Sequence, residues 1–269
     1  MLGRFPEFRV TMPRPIAARR LHDILESVET AKSVSVEELA DRFGVSRETI
    51  RRDLKALAAQ GRLDIVHGGA LKRGVGEPPY AERAMENAAG KAAIGRAAAA
   101  MVEPGMVVLL DSGSTTHEIA AALAKAPPSD VTVIATSLRD ALTLTRAGVK
   151  VTVLGGEVDP DDEATVGLDV IAALPRYRVD LAFVGIGGVT PDGDVTVFSR
   201  VAAETRAVML DCAARGFYVA DSSKFGRAGV ARIAPKRAPE ALVVDAAPPA
   251  RMQTGLAAHG VACIVADAL

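Results

Sequence analysis

The sequence predicts an α/β fold in which a small N-terminal domain precedes a larger domain built on an open, mostly parallel sheet. Residues 1–73 carry 14 Lys and Arg against 10 Asp and Glu, a net charge of +4, whereas the remainder carries a net charge of −5. From Met106 onward, short apolar runs alternate with helical stretches. Such runs are typical of parallel strands that helices cover on both faces. Hydrophobic residues make up 49% of the 269, which excludes wholesale disorder.

The N-terminal domain is predicted to contain three helices and a hairpin. Apolar residues recur at three- and four-residue spacing over residues 16–28, which indicates the first helix. Ser35 begins the pattern of a capping box for a short second helix, and Gly44 fits its left-handed end. Ser46 fits the cap of a third helix, and residues 63–70 fit a short hairpin. This order of elements predicts a winged helix-turn-helix domain.

The third helix carries most of the residues that we predict to contact DNA. Ile50 and Leu54 mark its inward face, and basic residues lie around the opposite side. In a major groove, Arg binds guanine edges or phosphates, and hydroxyl groups bind phosphates. The alternative is a surface helix with solvated charges, but the turn and the basic balance favour DNA. The predicted DNA-binding residues, one of them on the wing, are Ser46, Arg47, Thr49, Arg51, Arg52, Lys55 and His67.

Seven apolar runs are the predicted strands of the larger domain. They cover residues 106–110, 131–135, 149–154, 181–184, 217–220, 241–244 and 261–265. An alanine-rich helix is predicted before them, over residues 81–102.

A loop rich in Gly, Ser and Thr, residues 111–116, follows the first predicted strand and precedes an apolar helix. Amide and hydroxyl groups at a helix N-terminus bind oxyanions, so the loop is a candidate phosphate site. An ordinary capped helix start would have a similar composition. The Lys of a Walker loop is missing, which disfavours nucleotide hydrolysis.

Other polar or glycine-rich clusters also follow predicted strands, and ligands of open α/β sheets bind beyond the carboxyl ends of strands. Lys224 is the only basic residue in these clusters and would complement a phosphate at the loop. The acidic run over residues 159–163 is predicted to be a solvated loop, because it lacks the spacing of a calcium loop. No metal site and no cofactor are predicted.

Two segments resemble the signature of the DeoR family of bacterial transcription regulators. They are Arg20-x3-Ile24-x3-Val28 and, seventeen residues later, Ser46-x2-Thr49-Ile50-Arg51-Arg52-Asp53-Leu54. The wing sequence Val66-His67-Gly68-Gly69-Ala70 is also similar. The resemblance continues through the larger domain, whose family counterpart is similar to ribose-5-phosphate isomerase. It implies a sensor domain with a phosphorylated sugar as effector.

The predicted effector site combines the strand-end clusters with residues that the resemblance implies. Its residues are Asp111, Ser112, Gly113, Ser114, Thr115, Thr116, Ser137, Gly187, Glu204 and Lys224. The family has Thr-Asn where this chain has Thr136-Ser137, so contacts to sugar hydroxyls are expected to differ. The isomerase family places an acidic cluster where this chain has Gly185-Ile186-Gly187-Gly188, so no catalytic residue is predicted.

These observations predict a loose arm over residues 1–13, a winged helix-turn-helix domain over 14–71, a linker over 72–80 and a phosphosugar-sensing α/β domain over 81–269. The expected function is that of a DNA-binding transcriptional repressor of sugar-metabolism genes. The alternatives are a sugar-phosphate isomerase with an accessory DNA-binding module and a nucleic-acid-binding scaffold. The basic third helix argues against a pure enzyme. The candidate phosphate loop and the other polar clusters at strand ends argue against a pure scaffold.

Double-stranded operator DNA, a phosphorylated sugar and further copies of the chain are the expected partners. A homodimer or homotetramer is expected because winged helices usually bind paired half-sites. The N-terminus lacks the apolar segment of a signal peptide, and no run of about 18 apolar residues is present. Cys212 and Cys263 are far apart in sequence, which favours two reduced thiols. We therefore expect a cytoplasmic protein without a membrane partner.

Overall fold

The computed structural model describes residues 17–31, 33–66, 68–72 and 77–266. The chain divides into two compact units, residues 1–76 and residues 77–269. The predicted N-terminal arm, the wing residue His67 and most of the predicted linker before Glu77 lie outside the described residues.

The first unit contains three helices and a small antiparallel sheet of strand order β1-β3-β2. Its elements are α1 (Ala17–Ala31), β1 (Ser33–Ser35), α2 (Val36–Phe43), α3 (Arg47–Ala59), β2 (Leu63–Val66) and β3 (Gly69–Lys72). The predicted capping box is confirmed, because the Ser35 hydroxyl accepts from the Glu38 amide and the Glu38 carboxylate accepts from the Ser35 amide. Gly44 ends α2 at φ +63°, as its sequence position predicts.

The core of the first unit joins all three helices. Ile24 of α1, Leu39 of α2 and Ile50 of α3 are almost completely buried together, and Leu63 of β2 closes the same cluster. Each fully buried aliphatic side chain of this kind contributes about 1.5–3 kcal/mol relative to an exposed one. The apolar spacing of the three helices therefore fixes how α3 is held.

The second unit is an α/β domain that begins with two helices. Its helices are α4 (Tyr80–Met85), α5 (Ala88–Ala99), α6 (Ser114–Lys125), α7 (Leu138–Arg146), α8 (Leu168–Ala173), α9 (Arg200–Asp211) and α10 (Ala250–Ala258). Its strands are β4 (Val107–Leu110), β5 (Thr132–Ala135), β6 (Lys150–Val153), β7 (Glu157–Asp159), β8 (Ala164–Val166), β9 (Val179–Gly185), β10 (Gly188–Val189), β11 (Val195–Val197), β12 (Ala213–Val219), β13 (Ala231–Arg232), β14 (Ala241–Val244) and β15 (Ala262–Val265).

Seven strands form one sheet in the order β15-β14-β12-β9-β4-β5-β6, and every neighbouring pair is parallel. These are the seven strands that the apolar runs predict, so the fold class is confirmed. Alternate residues of β9 pack into separate cores on the two faces: Ala182 and Val184 on one, Leu181 and Phe183 on the other. Burial on both faces explains why the strands are apolar runs without alternation.

The strand order places a crevice between β4 and β9. From β4 the chain continues outward through β5 and β6, and it then returns to the other side of β4 to form β9. The direction of winding reverses at this point, and the connections that leave the two strands diverge. The loop after β4 therefore borders the position where open α/β sheets bind ligands.

The single helix predicted over residues 81–102 is wrong, because the chain breaks between α4 and α5 at Asn87, whose φ is +49°. The Asn87 side chain caps α5 by accepting from the Gly90 amide, and its Nδ2 donates to Asp245 at 2.7 Å. The Nζ of Lys91 donates to the carbonyl of Arg83 at 2.7 Å. These polar contacts stabilise the break, and helix propensity alone does not reveal them.

α5 and α6 cross at very short range. A Cβ atom on Gly95 of α5 would lie 2.5 Å from the carbonyl carbon and oxygen of Glu118 on α6. Only glycine permits this approach, because any side chain would meet backbone atoms.

Within the described residues, no helix is long and apolar enough to cross a membrane. The same residues contain no group of three or more His, Cys, Asp or Glu side chains placed to hold a metal ion. Cys212 and Cys263 are free and partly buried, and burial raises the pKa of both thiols.

Candidate DNA interface and anion site

α3 presents a polar face on the surface of the first unit. Its apolar residues Ile50, Leu54 and Leu57 are buried. The predicted DNA-binding residues lie on the remaining faces and on the preceding turn: Ser46, Arg47, Arg51, Arg52 and Lys55 are exposed, and Thr49 is partly exposed. His67 lies outside the described residues. The arrangement fits a recognition helix whose N-terminal turns enter a major groove.

Some of these side chains already have partners. Arg47 pairs with Glu37 of α2, and an Nη of Arg51 lies 3.8 Å from Glu48. By contrast, Arg52 and Lys55 form no ion pair with another described residue. They can contact DNA without giving up an ion pair to another described residue.

Arg20 of α1 and Asp53 of α3 form an ion pair with two hydrogen bonds, Nε to Oδ2 at 2.6 Å and Nη2 to Oδ1 at 3.3 Å. Only 10% and 13% of the two side chains are exposed. This ion pair therefore fixes α3 to α1 on the side of α3 that faces the core.

The loop after β4 begins α6 at the crevice. Gly113 has φ +143°, a conformation that glycine adopts most readily, and its carbonyl accepts from the His117 amide and from the Thr116 hydroxyl. The amides of the first helical turn, at Ser114, Thr115 and Thr116, have no partner within a helix. Together with the helix dipole, they favour an anion at this point.

Asp111 fastens the base of the loop to neighbouring elements. Its carboxylate accepts from the Gly185 amide at 3.0 Å and from Nε of Arg206 at 2.7 Å. Burial raises the pKa of Asp111, and the Arg206 guanidinium opposes that shift. The carboxylate thus joins β4, β9 and α9, which is a structural role.

On α9, Arg206 and not Glu204 reaches the loop. Glu204 pairs with Arg200 at 2.8 Å and is half exposed. Residues two apart on a helix point in different directions, so Glu204 faces away from the Arg206 side. Its role as an effector contact stays a prediction. Sequence reasoning missed Arg206, because its partner Asp111 lies 95 residues away in the chain.

Lys224 lies beyond the end of β12 with only 5% of its surface exposed. Burial lowers its pKa, while the nearby Asp221 carboxylate raises it. The closest acidic atom to its Nζ is an oxygen of Glu86, at 3.8 Å. Asp221 itself lies 3.3 Å from the buried Nζ of Lys91. Among the described residues, the only ion pair of the buried Lys224 is this long one with Glu86, which leaves room for an incoming anion.

Arg83 of α4 is a further buried cation at this site, and it lay unnoticed in the predicted helix. An Nη atom lies 4.0 Å from the position of a Cβ on Gly113, so the guanidinium borders the loop. Its Nη1 is 3.2 Å from Glu77, and its Nη2 pairs with Asp162. The acidic run was predicted to be a solvated loop, and this prediction is wrong for Asp162, because its carboxylate pairs with Arg83.

The remaining predicted residues have local partners. Ser137 caps α7 by accepting from the Asp140 amide at 3.2 Å. Beside it, the buried hydroxyl of Thr136 forms no hydrogen bond with the described residues. The amide of Gly187 donates to Thr196 at 2.8 Å, and a Cβ there would meet the Phe198 ring, so its glycine serves packing.

His117, in the first turns of α6, forms a hydrogen bond with the buried Asp140 of α7, with 2.6 Å between Nδ1 and Oδ1. This hydrogen bond raises the pKa of His117. The raised pKa favours a positively charged His117 beside the loop. No site role is predicted for His117 from the sequence.

An exposed polar helix in one unit and buried cations near a candidate anion loop in the other are the features expected of a two-domain, DNA-binding transcription regulator. Comparison with protein families supports this class: the DeoR-like helix-turn-helix domain matches residues 20–72, and the DeoR C terminal sensor domain matches residues 86–246. The chain belongs to the DeoR family. The family resemblance predicted from the sequence motifs is therefore confirmed.

Two similar proteins cover nearly the whole chain. The putative aga operon transcriptional repressor of Escherichia coli O157:H7 is 31% identical over 253 residues, 92% of this chain and 93% of that protein. The glycerol-3-phosphate regulon repressor of Escherichia coli strain K12 is 30% identical over 243 residues, 90% and 96% of the two chains. A solved ribose 5-phosphate isomerase from Plasmodium falciparum is 17% identical, covers 51% of this chain and 52% of its own, and has a TM-score of 0.37.

Proposed function

We propose that this protein represses sugar-metabolism genes and that a phosphorylated sugar, bound at the loop of residues 112–116, changes its affinity for operator DNA. The observation that carries the proposal is the buried cation Arg83 beside the free helix amides of the loop after β4, together with the buried Lys224 beyond the end of β12. The names of the two similar repressors support sugar-related genes as targets.

The chemistry of the site favours a phosphate group. A phosphate dianion has enough oxygen atoms to accept from several amides of α6 and from a guanidinium at the same time. It would also give Lys224 a closer counter-ion than the Glu86 oxygen at 3.8 Å. Polar groups farther along the sheet edge, such as the Thr136 hydroxyl, remain for the sugar hydroxyls.

Control of DNA binding requires that the effector favour one state of the protein over another. If the sugar binds the non-repressing state more tightly, operator affinity falls by the same factor by which DNA weakens sugar binding. We also propose a homodimer or homotetramer, since one recognition helix covers only a half-site.

The experiment combines two measurements on the full-length protein. A thermal-shift screen with phosphosugars identifies ligands, and the same sugars without phosphate are the control. Electrophoretic mobility shifts with DNA from upstream of the genes next to its own then measure operator affinity with and without each ligand. We expect a phosphosugar, and not its dephosphorylated form, to raise the melting temperature and release DNA. Equal responses to both forms would contradict the proposal.

A further inference from the structure

Glu77 is the first residue of the second unit, and its carboxylate already lies at the candidate anion site. An oxygen of Glu77 is 3.2 Å from Nη1 of Arg83. That guanidinium borders Gly113, at the start of the phosphate loop. The protein thus supplies an anion of its own to a cation beside the proposed phosphate position.

Electrostatics link Glu77 to the whole site. Burial raises the pKa of Glu77 above its usual value, and attraction to Arg83, Arg206 and Lys224 offsets only part of this rise. Three cations therefore act on one carboxylate, and two of them, Arg83 and Arg206, contact or border the phosphate loop. Of the Glu77 side chain, 30% remains exposed, so it lies at the entrance and is not locked into the core.

Arg83 pairs with two carboxylates through different nitrogen atoms. Its Nη2 pairs with Asp162, and its Nε donates to the Pro78 carbonyl at 2.8 Å. The Nη1 group, which faces Glu77, is the one nearest the loop. A ligand phosphate can replace Glu77 there without disturbing Asp162.

We propose that the Glu77 carboxylate is an internal competitor, which occupies Arg83 in the free protein and is displaced by the anionic group of the effector. The inference rests on the proposed function, because it assumes that the effector anion binds at the phosphate loop. A dianion at Arg83 and a charged Glu77 repel each other at this range, so binding expels the carboxylate.

Displacement of Glu77 also acts on the chain that follows it. Pro78 and Pro79 restrict the backbone after Glu77, and Arg83 holds the Pro78 carbonyl. On its N-terminal side, Glu77 is joined to the segment that leads from the DNA-binding unit. Loss of the Glu77 contact therefore changes the start of the second unit at the point where the first unit is attached.

Isothermal titration calorimetry with inorganic phosphate tests the proposal on the full-length protein. The variants are Glu77→Gln, which keeps the shape but removes the charge, and Glu82→Gln as the matched control. Glu82 is exposed on α4 and its substitution makes the same change in net charge. We expect phosphate to bind Glu77→Gln at least about fivefold more tightly than wild type, the lower end of ordinary coupling between sites. Glu82→Gln should stay within about twofold of wild type, which is less than that lower end.

Hydrogen exchange supplies a second readout. In wild type, phosphate should speed exchange of the Arg83 amide, which donates to the Pro79 carbonyl at 3.1 Å, because the chain after Glu77 shifts when that residue leaves its place; the amides of α5 should not respond. Equal phosphate affinity of Glu77→Gln and wild type, with binding lost in Lys224→Met, would overturn the internal competitor and leave the proposed site intact. Equal tightening in Glu77→Gln and Glu82→Gln would also overturn it, since net charge alone would then explain the gain. Phosphate binding that survives in Lys224→Met would instead count against the proposed site.

Discussion

Arg20 and Asp53 join the first helix of the N-terminal unit to its recognition helix through a two-bond ion pair that is almost completely buried. Both residues belong to the sequence signature of the family, but the sequence shows only how far apart they are in the chain. The structure shows that they form an ion pair with each other.

Removal of one partner should destabilise the N-terminal unit. Arg20→Ala leaves the Asp53 carboxylate buried without its counter-ion, and a loss of about 3 kcal/mol in the free energy of unfolding is expected. Urea unfolding followed by circular dichroism measures it. The double variant Arg20→Met, Asp53→Leu should recover much of the loss, because two apolar side chains need no partner. A double variant less stable than Arg20→Ala would contradict this account.

Substitutions on α3 should separate recognition from folding. Arg52 is exposed and has no ion-pair partner among the described residues, so Arg52→Ala should weaken operator binding by about 1–3 kcal/mol if it contacts a base edge. If it contacts only phosphate, DNA of every sequence should be affected equally, and the salt dependence should become shallower. Fluorescence anisotropy with labelled DNA distinguishes the two.

Arg96→Ala is the control for Arg52→Ala, because Arg96 is an exposed arginine of α5 in the other unit. Unchanged operator affinity in both Arg51→Ala and Arg52→Ala would remove α3 as the recognition helix.

At the anion site, Lys224→Met should abolish the response to effector and leave operator binding intact. Methionine keeps most of the buried volume and removes only the positive charge. We expect effector affinity to fall at least about tenfold, because a charge-assisted contact contributes about 1.5–3 kcal/mol. Calorimetry with the phosphosugar found in the screen measures this, and the exposed Lys236→Met is the control. Wild-type affinity in Lys224→Met would refute the site.

The α/β unit should not interconvert aldoses and ketoses. Isomerisation needs a base near a carbon-bound proton and acidic groups near the oxygens. Glu204, the one candidate base, is paired with Arg200, and Asp111 is engaged by Arg206. Incubation with ribose 5-phosphate should give no ketose. Turnover on the order of 10 per second, lost in Glu204→Gln, would favour an enzyme.

The His117–Asp140 pair makes a pH-dependent contribution to stability. Because Asp140 raises the pKa of His117, protonated His117 stabilises the folded unit. This stabilisation is complete below the unfolded value of about 6.5 and is lost as pH rises through the folded value. NMR titration of the imidazole protons should show His117 titrating at lower pH in Asp140→Asn. An unchanged midpoint would contradict the pairing.

The sequence predicts the regular parts of this protein well, for physical reasons. Helix caps such as Ser35 are local, and strands buried on both faces are recognisable as apolar runs. The break at Asn87 was missed because distant groups, such as Asp245, stabilise it.

The candidate anion site was predicted only in part. The loop and Lys224 follow strands, and the carboxyl ends of parallel strands meet at one edge of a sheet. Arg83 and Arg206 lie within helices, where a buried cation has the same sequence pattern as a solvated one. Their roles depend on partners far along the chain, Asp162 and Asp111, which periodicity does not identify.

The close crossing at Gly95 has a mechanical consequence for the helix that carries the phosphate loop. At Gly95 no side chain separates the backbone of α5 from that of α6, so the two helices cannot move closer together at this point. When an anion binds at Ser114, the start of α6 therefore cannot adjust by shifting towards α5.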